Sequence, residues 1–127
     1  GLKRKIDTLD NYTYHGHVSE ERLKEMYREM RMVVSPIRYG AGSKGKIAHS
    51  MMHGIPNITT HVGSEGMGIP AECIRVVKLE EFNSELQEIY NDIETLDMMA
   101  KKSKVFARKA FSVDNINNII KNKFGFT

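Results

Sequence analysis

The stretch that decides the fold is MVVSPIRYGAGSKGKIAHSMMHGIP, residues Met32–Pro56. It opens with Met32–Ser35, whose first three residues are apolar, and such a run predicts a strand that is covered on both faces. The glycine-rich residues Tyr39–Gly45 predict a loop. A helix should follow and end at Gly54 in the C′ position, because Pro56 cannot continue it. The residues of this helix that should face inward are Ile47, Ala48, Met51 and Met52.

Strand and helix signals alternate along the rest of the chain. Further β-prone runs occur at Tyr12–His15, Asn57–Thr60 and Ile74–Val77. The last of these is interrupted only by Arg75, so it too should be covered on both faces. A second glycine-rich loop should cover His61–Gly68, directly after the third strand.

Four further helices are predicted from caps and apolar spacing. Ser19 should be the N-cap of the first, with two glutamates in its first turn, where the helix dipole favours anions. A second should begin near Phe82, a third should cover Leu96–Ala110, and Ser112 should cap the last. The apolar positions at helical spacing are Leu23, Met26, Tyr27 and Met30; Phe82, Leu86, Ile89, Tyr90 and Ile93; and Val113, Ile116, Ile119 and Ile120.

This order of elements predicts an α/β fold. The expected architecture is a Rossmann-like parallel sheet flanked by helices, with right-handed crossovers between its strands. Such sheets bind ligands at the carboxyl ends of their strands. Because both glycine-rich loops follow strands, both should lie at that edge.

Length and composition bound the class of protein. The 127 residues, of which 40% are hydrophobic and 28% charged, predict one globular domain over residues 1–127. No apolar run approaches the roughly 18 residues that span a bilayer. The basic N-terminus is not followed by an apolar stretch, so it is not expected to be a signal peptide. The single cysteine, Cys73, is typical of a reducing cytosol and should be buried or inert. These features predict a cytoplasmic protein.

The net charge of +3 is mild. It is compatible with an anionic ligand, with an anionic membrane surface or with neither. The basic clusters Lys3–Lys5 and Lys101–Lys109 are expected to be solvated helix faces. Binding of nucleic acid is not expected, because aromatic residues do not interleave with either cluster. A peripheral contact with the inner surface of the membrane is left open.

The first glycine-rich loop has the chemistry of a phosphate site. Its glycines let backbone N–H groups approach a ligand, and it leads into a helix N-terminus with unpaired donors. Arg38 and Lys44 add a planar guanidinium and a compact ammonium on either side. A diphosphate would suit this loop; the alternative is a surface loop with incidental cations. A P-loop NTPase is not expected, because Ile47 stands where that motif needs Ser or Thr for magnesium.

A glutamate and a pair of histidines are the other residues with chemistry suited to a site. In the second glycine-rich loop, Glu65 could accept hydrogen bonds from sugar hydroxyls, or it could be a surface residue of a plain turn. His49 and His53 are four residues apart on the predicted helix, a spacing that can hold a metal ion. No third ligand is evident, so no metal site is predicted.

Residues 35–46 closely resemble a segment of the group 1 glycosyltransferases of GT-B architecture. The resemblance continues through Met51, Gly54–Pro56 and Thr59–Thr60 to Val62–Met67, and it includes closing helices near Phe111. It extends from about residue 12 to residue 124. The pattern of arginine, glycines and lysines in Arg38–Lys46, at its distance from Gly54–Pro56, is fairly specific for the family. Each of the other matches is weak alone, and they gain weight because they occur in the family's order.

The resemblance implies a retaining transferase whose substrate is a nucleotide-diphosphate sugar, with no separate cofactor. It places the donor on this C-terminal domain. The acceptor, a saccharide or lipid-linked saccharide, would lie largely on a separate N-terminal domain. The family's domain normally opens with another strand and helix before the Tyr12 strand, so the chain is expected to be a fragment that lacks this unit.

Carried over residue by residue, the resemblance assigns a site. Arg38 and Lys44 fall on positions that contact the donor diphosphate, and they are the expected catalytic residues. The expected donor-binding residues are Gly40, Gly42, Ser43, Gly45, Lys46, His49, Gly63, Ser64, Glu65 and Gly66.

The sequence departs from the family at two carboxylates. In the resemblance, His49 aligns with a Glu that is expected to bind the ribose hydroxyls, and Ala41 aligns with the family's other carboxylate, eight residues earlier. Histidine cannot accept two hydrogen bonds as a carboxylate does. The alternative function is therefore a non-catalytic interaction or regulatory module with a decayed nucleotide site.

Overall fold

A small parallel sheet organises the fold. The computed structural model describes Gly16 and residues 18–39 and 44–111. The sheet contains β1 (Val33–Ser35), β2 (Asn57–Thr59) and β3 (Arg75–Val76), in the order β1-β2-β3 with both pairings parallel. The predicted strand Tyr12–His15 and the helix predicted from Ser112 lie outside the described residues.

Helices connect these strands and cover the sheet. They are α1 (Glu20–Glu29), α2 (Lys44–Met52), α3 (His61–Ser64), α4 (Phe82–Tyr90) and α5 (Ile93–Ala110), with a 3-10 turn at Leu79–Glu81 before α4. The parallel sheet with helices around it confirms the predicted Rossmann-like α/β class. It is also the arrangement expected of the C-terminal half of a GT-B architecture.

Two apolar clusters form the core. One joins α2 to the C-terminal half of α5 and consists of Ile47, Ala48, Met51, Cys73, Ile74, Ala107 and Phe111. The other joins the sheet to α4 and the N-terminal half of α5 and consists of Ile58, Phe82, Ile89, Leu96 and Met99. The inward residues predicted for α2 are confirmed, since Ile47, Ala48 and Met51 are buried and Met52 is partly buried.

Strand β2 is the only described strand that is buried along its whole length. Alternate residues of a strand point to opposite faces, so Ile58 packs into one cluster while Asn57 turns the other way. The Asn57 amide nitrogen donates to Ser50 Oγ of α2 at 2.9 Å and to the Ile55 carbonyl at 3.0 Å. These bonds fix α2 against the start of β2.

The expectation that the other two strands are covered on both faces is wrong. Val34 of β1 and Val76 of β3 are each 42% exposed. Both strands lie at the outer positions of the sheet that the described residues form, and the faces that carry these two valines are incompletely covered. A short apolar run cannot distinguish such a strand from a central one.

The caps of the first two helices form as predicted. Ser19 Oγ accepts a hydrogen bond from the Arg22 N–H at 3.1 Å, at the start of α1. At the end of α2, Gly54 has a φ of +73°, its N–H donates to the Met51 carbonyl, and the Ile55 N–H donates to the Ser50 carbonyl. This pair of bonds is the Schellman motif, which favours glycine at the left-handed position.

The helices after β3 are divided differently from the prediction. The spacing from Phe82 to Ile93 suggested one helix, but α4 ends at Tyr90 and Ile93 begins α5. Asp92 caps α5 by accepting from the Thr95 N–H at 3.1 Å and from its hydroxyl at 2.6 Å. These Thr95 hydrogen bonds hold the pKa of the Asp92 carboxyl below its usual value. The predicted boundary at Leu96 was therefore three residues late.

The second glycine-rich segment is not a simple loop. Residues His61–Ser64 form the one-turn helix α3, and only the residues after it form turns. The sequence suggested a loop because glycine is a poor helix former. Gly63 nevertheless lies in α3 because its lack of a side chain leaves room for Thr59.

Candidate functional site

An open cleft of about 570 Å³ lies at the carboxyl ends of the three strands. Its lining comes from Ile37 and Arg38 after β1, Thr60–Val62 after β2, and Val76–Glu80 around the end of β3. The floor is mainly apolar, whereas Arg38, His61, Lys78 and Glu80 are exposed. This is the edge at which parallel α/β sheets bind ligands.

Two threonines fix the wall of the cleft that holds Arg38. The Thr59 hydroxyl donates to the Ser35 carbonyl at 3.0 Å, and the Thr60 hydroxyl donates to the Ile37 carbonyl. The bonds tie the last residue of β1 and the chain after it to the end of β2. They therefore position the backbone immediately before Arg38, and Arg38 itself is exposed.

The first glycine-rich segment leads into α2 as its sequence predicts. Residues 40–43, which include the predicted donor-binding residues Gly40, Gly42 and Ser43, lie outside the described residues. Lys44 is the first residue of α2, Gly45 is partly buried, and Lys46 is exposed. The next residue, Ile47, is fully buried and anchors the helix. The N-terminus of α2 therefore begins where the cation-bearing segment ends.

Gly63 is required by packing. A Cβ atom at this position would lie 2.1 Å from Thr59 Oγ1 and 3.6 Å from Ile37 Cγ1. Only glycine lets α3 rest this closely on the threonine that holds the end of β1. The predicted donor-binding residue Gly63 thus has a structural role that its sequence context did not reveal.

The rest of the second predicted segment lies beside the cleft. Ser64 is partly buried, Glu65 is the exposed C-cap of α3, and Gly66 is exposed with a φ of +78°. The described residues that line the cleft end at Val62 in this segment. The cleft therefore brings Arg38 together with His61, Lys78 and Glu80, which the sequence did not single out as site residues.

His49 lies in a contact that the sequence did not indicate. Its Nδ1 atom is 3.0 Å from the Tyr27 hydroxyl of α1, and its Nε2 atom is 3.8 Å from Glu20 Oε1. The His53 ring packs against both the Tyr27 ring and the His49 ring, and its Nδ1 atom is 2.9 Å from the His49 carbonyl oxygen. Tyr27 was predicted only as a core residue of α1. Its hydroxyl instead contacts His49, the residue that the resemblance aligns with a glutamate.

Burial lowers the pKa of His49, and the neighbouring His53 lowers it further. Glu20 opposes this effect and Lys24 adds to it. Burial also raises the pKa of Tyr27, so the phenol keeps its proton and can donate it to Nδ1. Because its pKa lies below the ordinary value of 6.5, His49 is mainly a neutral imidazole at neutral pH.

The histidine pair gains no further metal ligand in the described part of the chain. Among those residues, no group of three or more His, Cys, Asp or Glu side chains is arranged to hold a metal ion. The rings of Tyr27, His49 and His53 pack on one another, and Tyr27 is buried there, so the histidine pair has a packing role.

The sequence and the site can be compared with known proteins. A family model described as glycosyl transferases group 1 matches residues 1–92. The chain belongs to the group 1 glycosyltransferases. The match includes all three strands, the cleft and α1 to α4, and it stops just before α5. Comparison with curated proteins and with solved structures gives no significant match.

Membership places the chain in a family of transferases that move glycosyl groups. The resemblance based on residues 35–46 is thereby confirmed at the level of the family. Within the described ranges, no helix of this glycosyltransferase domain is long and apolar enough to cross a bilayer.

The contact between Gly63 and Thr59 generates the first prediction. Gly63→Ala should destabilise the domain by about 1–3 kcal/mol, as overpacking usually does. Thr59→Ala should lose the bond to Ser35 and cost about 1 kcal/mol. The loss of stability in the double variant should be smaller than the sum of the two single losses. Once Oγ1 is removed, the Cβ atom at position 59 is 3.4 Å from the new methyl group, so the worst clash is relieved. Urea unfolding of all three variants measures this coupling.

Gly66→Ala is the matched control, since a Cβ there would meet nothing within 4 Å. Its cost should be only the roughly 1–2 kcal/mol of a left-handed alanine, and Thr59→Ala should not reduce it. Strict additivity of Gly63→Ala and Thr59→Ala would contradict the steric explanation.

The lowered pKa of His49 generates the second prediction. A histidine whose pKa is lower in the folded state than its ordinary value of 6.5 contributes stability that is complete above that value. The contribution falls as the pH drops, because the unfolded chain then binds more protons. The free energy of unfolding should therefore decrease between about pH 7.5 and about pH 5.5, and His49→Gln should flatten this slope. His61→Gln, which removes an exposed histidine, is the control, and equal slopes in His49→Gln and the wild type would contradict the assignment.

Proposed function

We propose that this domain binds a nucleotide-diphosphate sugar at the carboxyl edge of its sheet and assists transfer of the glycosyl group to an acceptor. One observation supports this most directly. The cleft at the strand ends has Arg38 on its wall, and the segment after Arg38 leads into the N-terminus of α2. A domain of a glycosyl-transferring family with such an edge has a natural place for an anionic donor.

The proposed mechanism is electrostatic. The Arg38 guanidinium can contact two oxygens of a diphosphate, Lys44 can add a compact positive charge, and the first N–H groups of α2 can donate to the same group. Negative charge grows on the diphosphate as the glycosyl bond breaks. Groups that stabilise this charge act on the transition state more than on the bound donor. Arg38 and Lys44 should therefore affect turnover more than donor affinity.

The sugar should extend from the diphosphate toward the residues after α3. In this proposal Glu65, exposed at the end of α3, accepts hydrogen bonds from sugar hydroxyls, while Ser64 and Gly66 border it. The acceptor, a saccharide or lipid-linked saccharide, would be held mainly by a separate N-terminal domain. Transfer with retention of configuration and a cytoplasmic location belong to the same proposal.

Nucleotide binding tests the proposal. Titration calorimetry of the chain with UDP, GDP and ADP should show weak, millimolar-range binding of at least one of them. Arg38→Ala and Lys44→Ala should each weaken that binding by about tenfold or more, since bonds to charged groups contribute about 1.5–3 kcal/mol. Arg28→Ala, at an exposed position on α1, should leave it unchanged. No binding of any of the three nucleotides would contradict the proposal, and unchanged affinity in both Arg38→Ala and Lys44→Ala would move the site elsewhere.

A second candidate function is favoured by the contacts of His49. The side chain that stands at the position of the ribose-binding carboxylate is held by Tyr27 and faces Glu20, so part of its polar capacity is used inside the protein. Such a domain could serve as a non-catalytic interaction or regulatory module. In this case the fold would be kept and the nucleotide site lost.

Restoring the carboxylate distinguishes the two candidates. If the edge binds a nucleotide, His49→Glu should raise the affinity for the nucleoside diphosphate severalfold, because a carboxylate can accept two ribose hydroxyls. His53→Glu adds the same charge one turn away on an exposed position and should not raise it. An affinity that is undetectable in the wild type and stays so in His49→Glu would support the non-catalytic module.

A further inference from the structure

The solvent face of α5 has apolar side chains that the core does not use. Met98 is 50% exposed and Val105 is 58% exposed, although both lie in the middle of the helix. They are seven residues apart and therefore share one face. Four cations lie on the same face. We call this set the α5 stripe; it consists of Met98, Lys101, Lys102, Val105, Arg108 and Lys109.

The stripe lies opposite the buried side of the helix. Leu96, Met99, Ser103 and Ala107 are the buried residues of α5 and pack toward the two core clusters. Every member of the stripe is exposed. Neither the apolar nor the charged members are therefore needed to hold α5 in place.

The charge of this part of the helix is strongly positive. Residues 98–111 include Lys101, Lys102, Lys104, Arg108 and Lys109 and no acidic residue. Two of the lysines have acidic neighbours: Lys101 lies 2.9 Å from Asp97, and Lys102 lies 3.9 Å from Glu72. These ion pairs are solvent-exposed, so they contribute little and can be exchanged for other anions.

A groove adjoins the stripe. It has a volume of about 450 Å³ and lies between α5 and the segment that begins at Pro70. Lys101, Lys102 and Lys109 line it together with the apolar side chains of Val105 and Phe106, with Glu72 as its one acidic residue among those described. Cations beside an apolar groove match an anionic headgroup attached to a hydrocarbon chain.

We propose that the α5 stripe docks this domain on the surface of an anionic phospholipid bilayer. The lysines and Arg108 contact lipid phosphates, while Met98 and Val105 enter the boundary between headgroups and acyl chains. A helix with an apolar centre and cations on both sides lies in this plane. A nucleic-acid surface fits less well, because the stripe has no aromatic side chain for stacking and has apolar residues at its centre.

The expected attachment is weak and reversible. Each Lys or Arg near an anionic membrane strengthens binding by roughly fivefold, and the effect is screened by salt. Two partly exposed apolar side chains add a smaller contribution. Binding should therefore need anionic lipid and should fall steeply as salt is raised.

Sedimentation with vesicles tests the proposal on the full chain. The chain should partition onto vesicles of equal parts phosphatidylglycerol and phosphatidylcholine, and it should not bind phosphatidylcholine alone. Lys102→Ala combined with Lys109→Ala should weaken partitioning by about 25-fold, the product of two fivefold losses. Lys24→Ala combined with Arg28→Ala removes the same charge from α1 and should change it much less.

The apolar part has its own pair of variants. Val105→Ser should weaken partitioning by about threefold or more, because the free energy gained by moving a valine side chain from water into an apolar environment exceeds that factor. Ile93→Ser is the control, because Ile93 is 57% exposed at the start of α5 and outside the stripe. Circular dichroism should show all variants folded, which substitution at exposed positions permits.

Three results would overturn the proposal. One is no binding to the anionic vesicles at low salt. Another is an equal loss of partitioning in the α1 control variant, which would mean that binding depends only on the net charge of the chain. The third is binding to a single-stranded oligonucleotide at least as strong as to the vesicles, with the same dependence on Lys102 and Lys109. Nucleotide calorimetry is independent of all three, so failure here leaves the donor site untouched.

Discussion

The complete burial of β2 is the constraint on which the rest of the structure depends. Its three residues are each fully buried, and each makes a different attachment. Ile58 packs with α4 and α5, Asn57 bonds to α2, and Thr59 bonds to the end of β1. A strand this short has few backbone bonds, so its side chains must set the position of the neighbouring elements. Both the apolar core and the wall of the cleft are consequences of the same three residues.

This arrangement explains why the ligand edge is built mainly from packing. Thr59 and Thr60 fix the chain before Arg38, and Gly63 lets α3 approach Thr59 closely. None of these three groups needs to touch a ligand to determine where Arg38 lies. The charged residues of the cleft are exposed. The residues that make the structural bonds are thus different from those that carry the charge of the cleft.

The sequence predicted what is local and missed what is long-range. The Ser19 cap, the Schellman end at Gly54 and the buried face of α2 depend on residues within a few positions of one another, and all were predictable. The exposure of Val34 depends on what packs over its face of the sheet, which a three-residue run does not encode. The bond between Tyr27 and His49 joins residues 22 positions apart, and helical spacing marked Tyr27 only as apolar. The family resemblance identified His49 as a departure, but only the structure showed which side chain holds it.

The direction of α5 relates the two charged regions of the domain. Gly54, at the end of α2, lies beside Ala100 and Lys104, whereas Ile47 and Ala48, near its start, share a cluster with Ala107 and Phe111. The two helices therefore run antiparallel, and the last turn of α5 lies toward the end of α2 that begins at Lys44. Arg108 and Lys109 are consequently on the side of the domain where parallel strands present a ligand. A surface that met the α5 stripe would lie close to that edge. If the domain binds its donor and a membrane as proposed, a nucleotide donor in the cleft and a lipid-linked acceptor would approach the same end of the sheet from different sides.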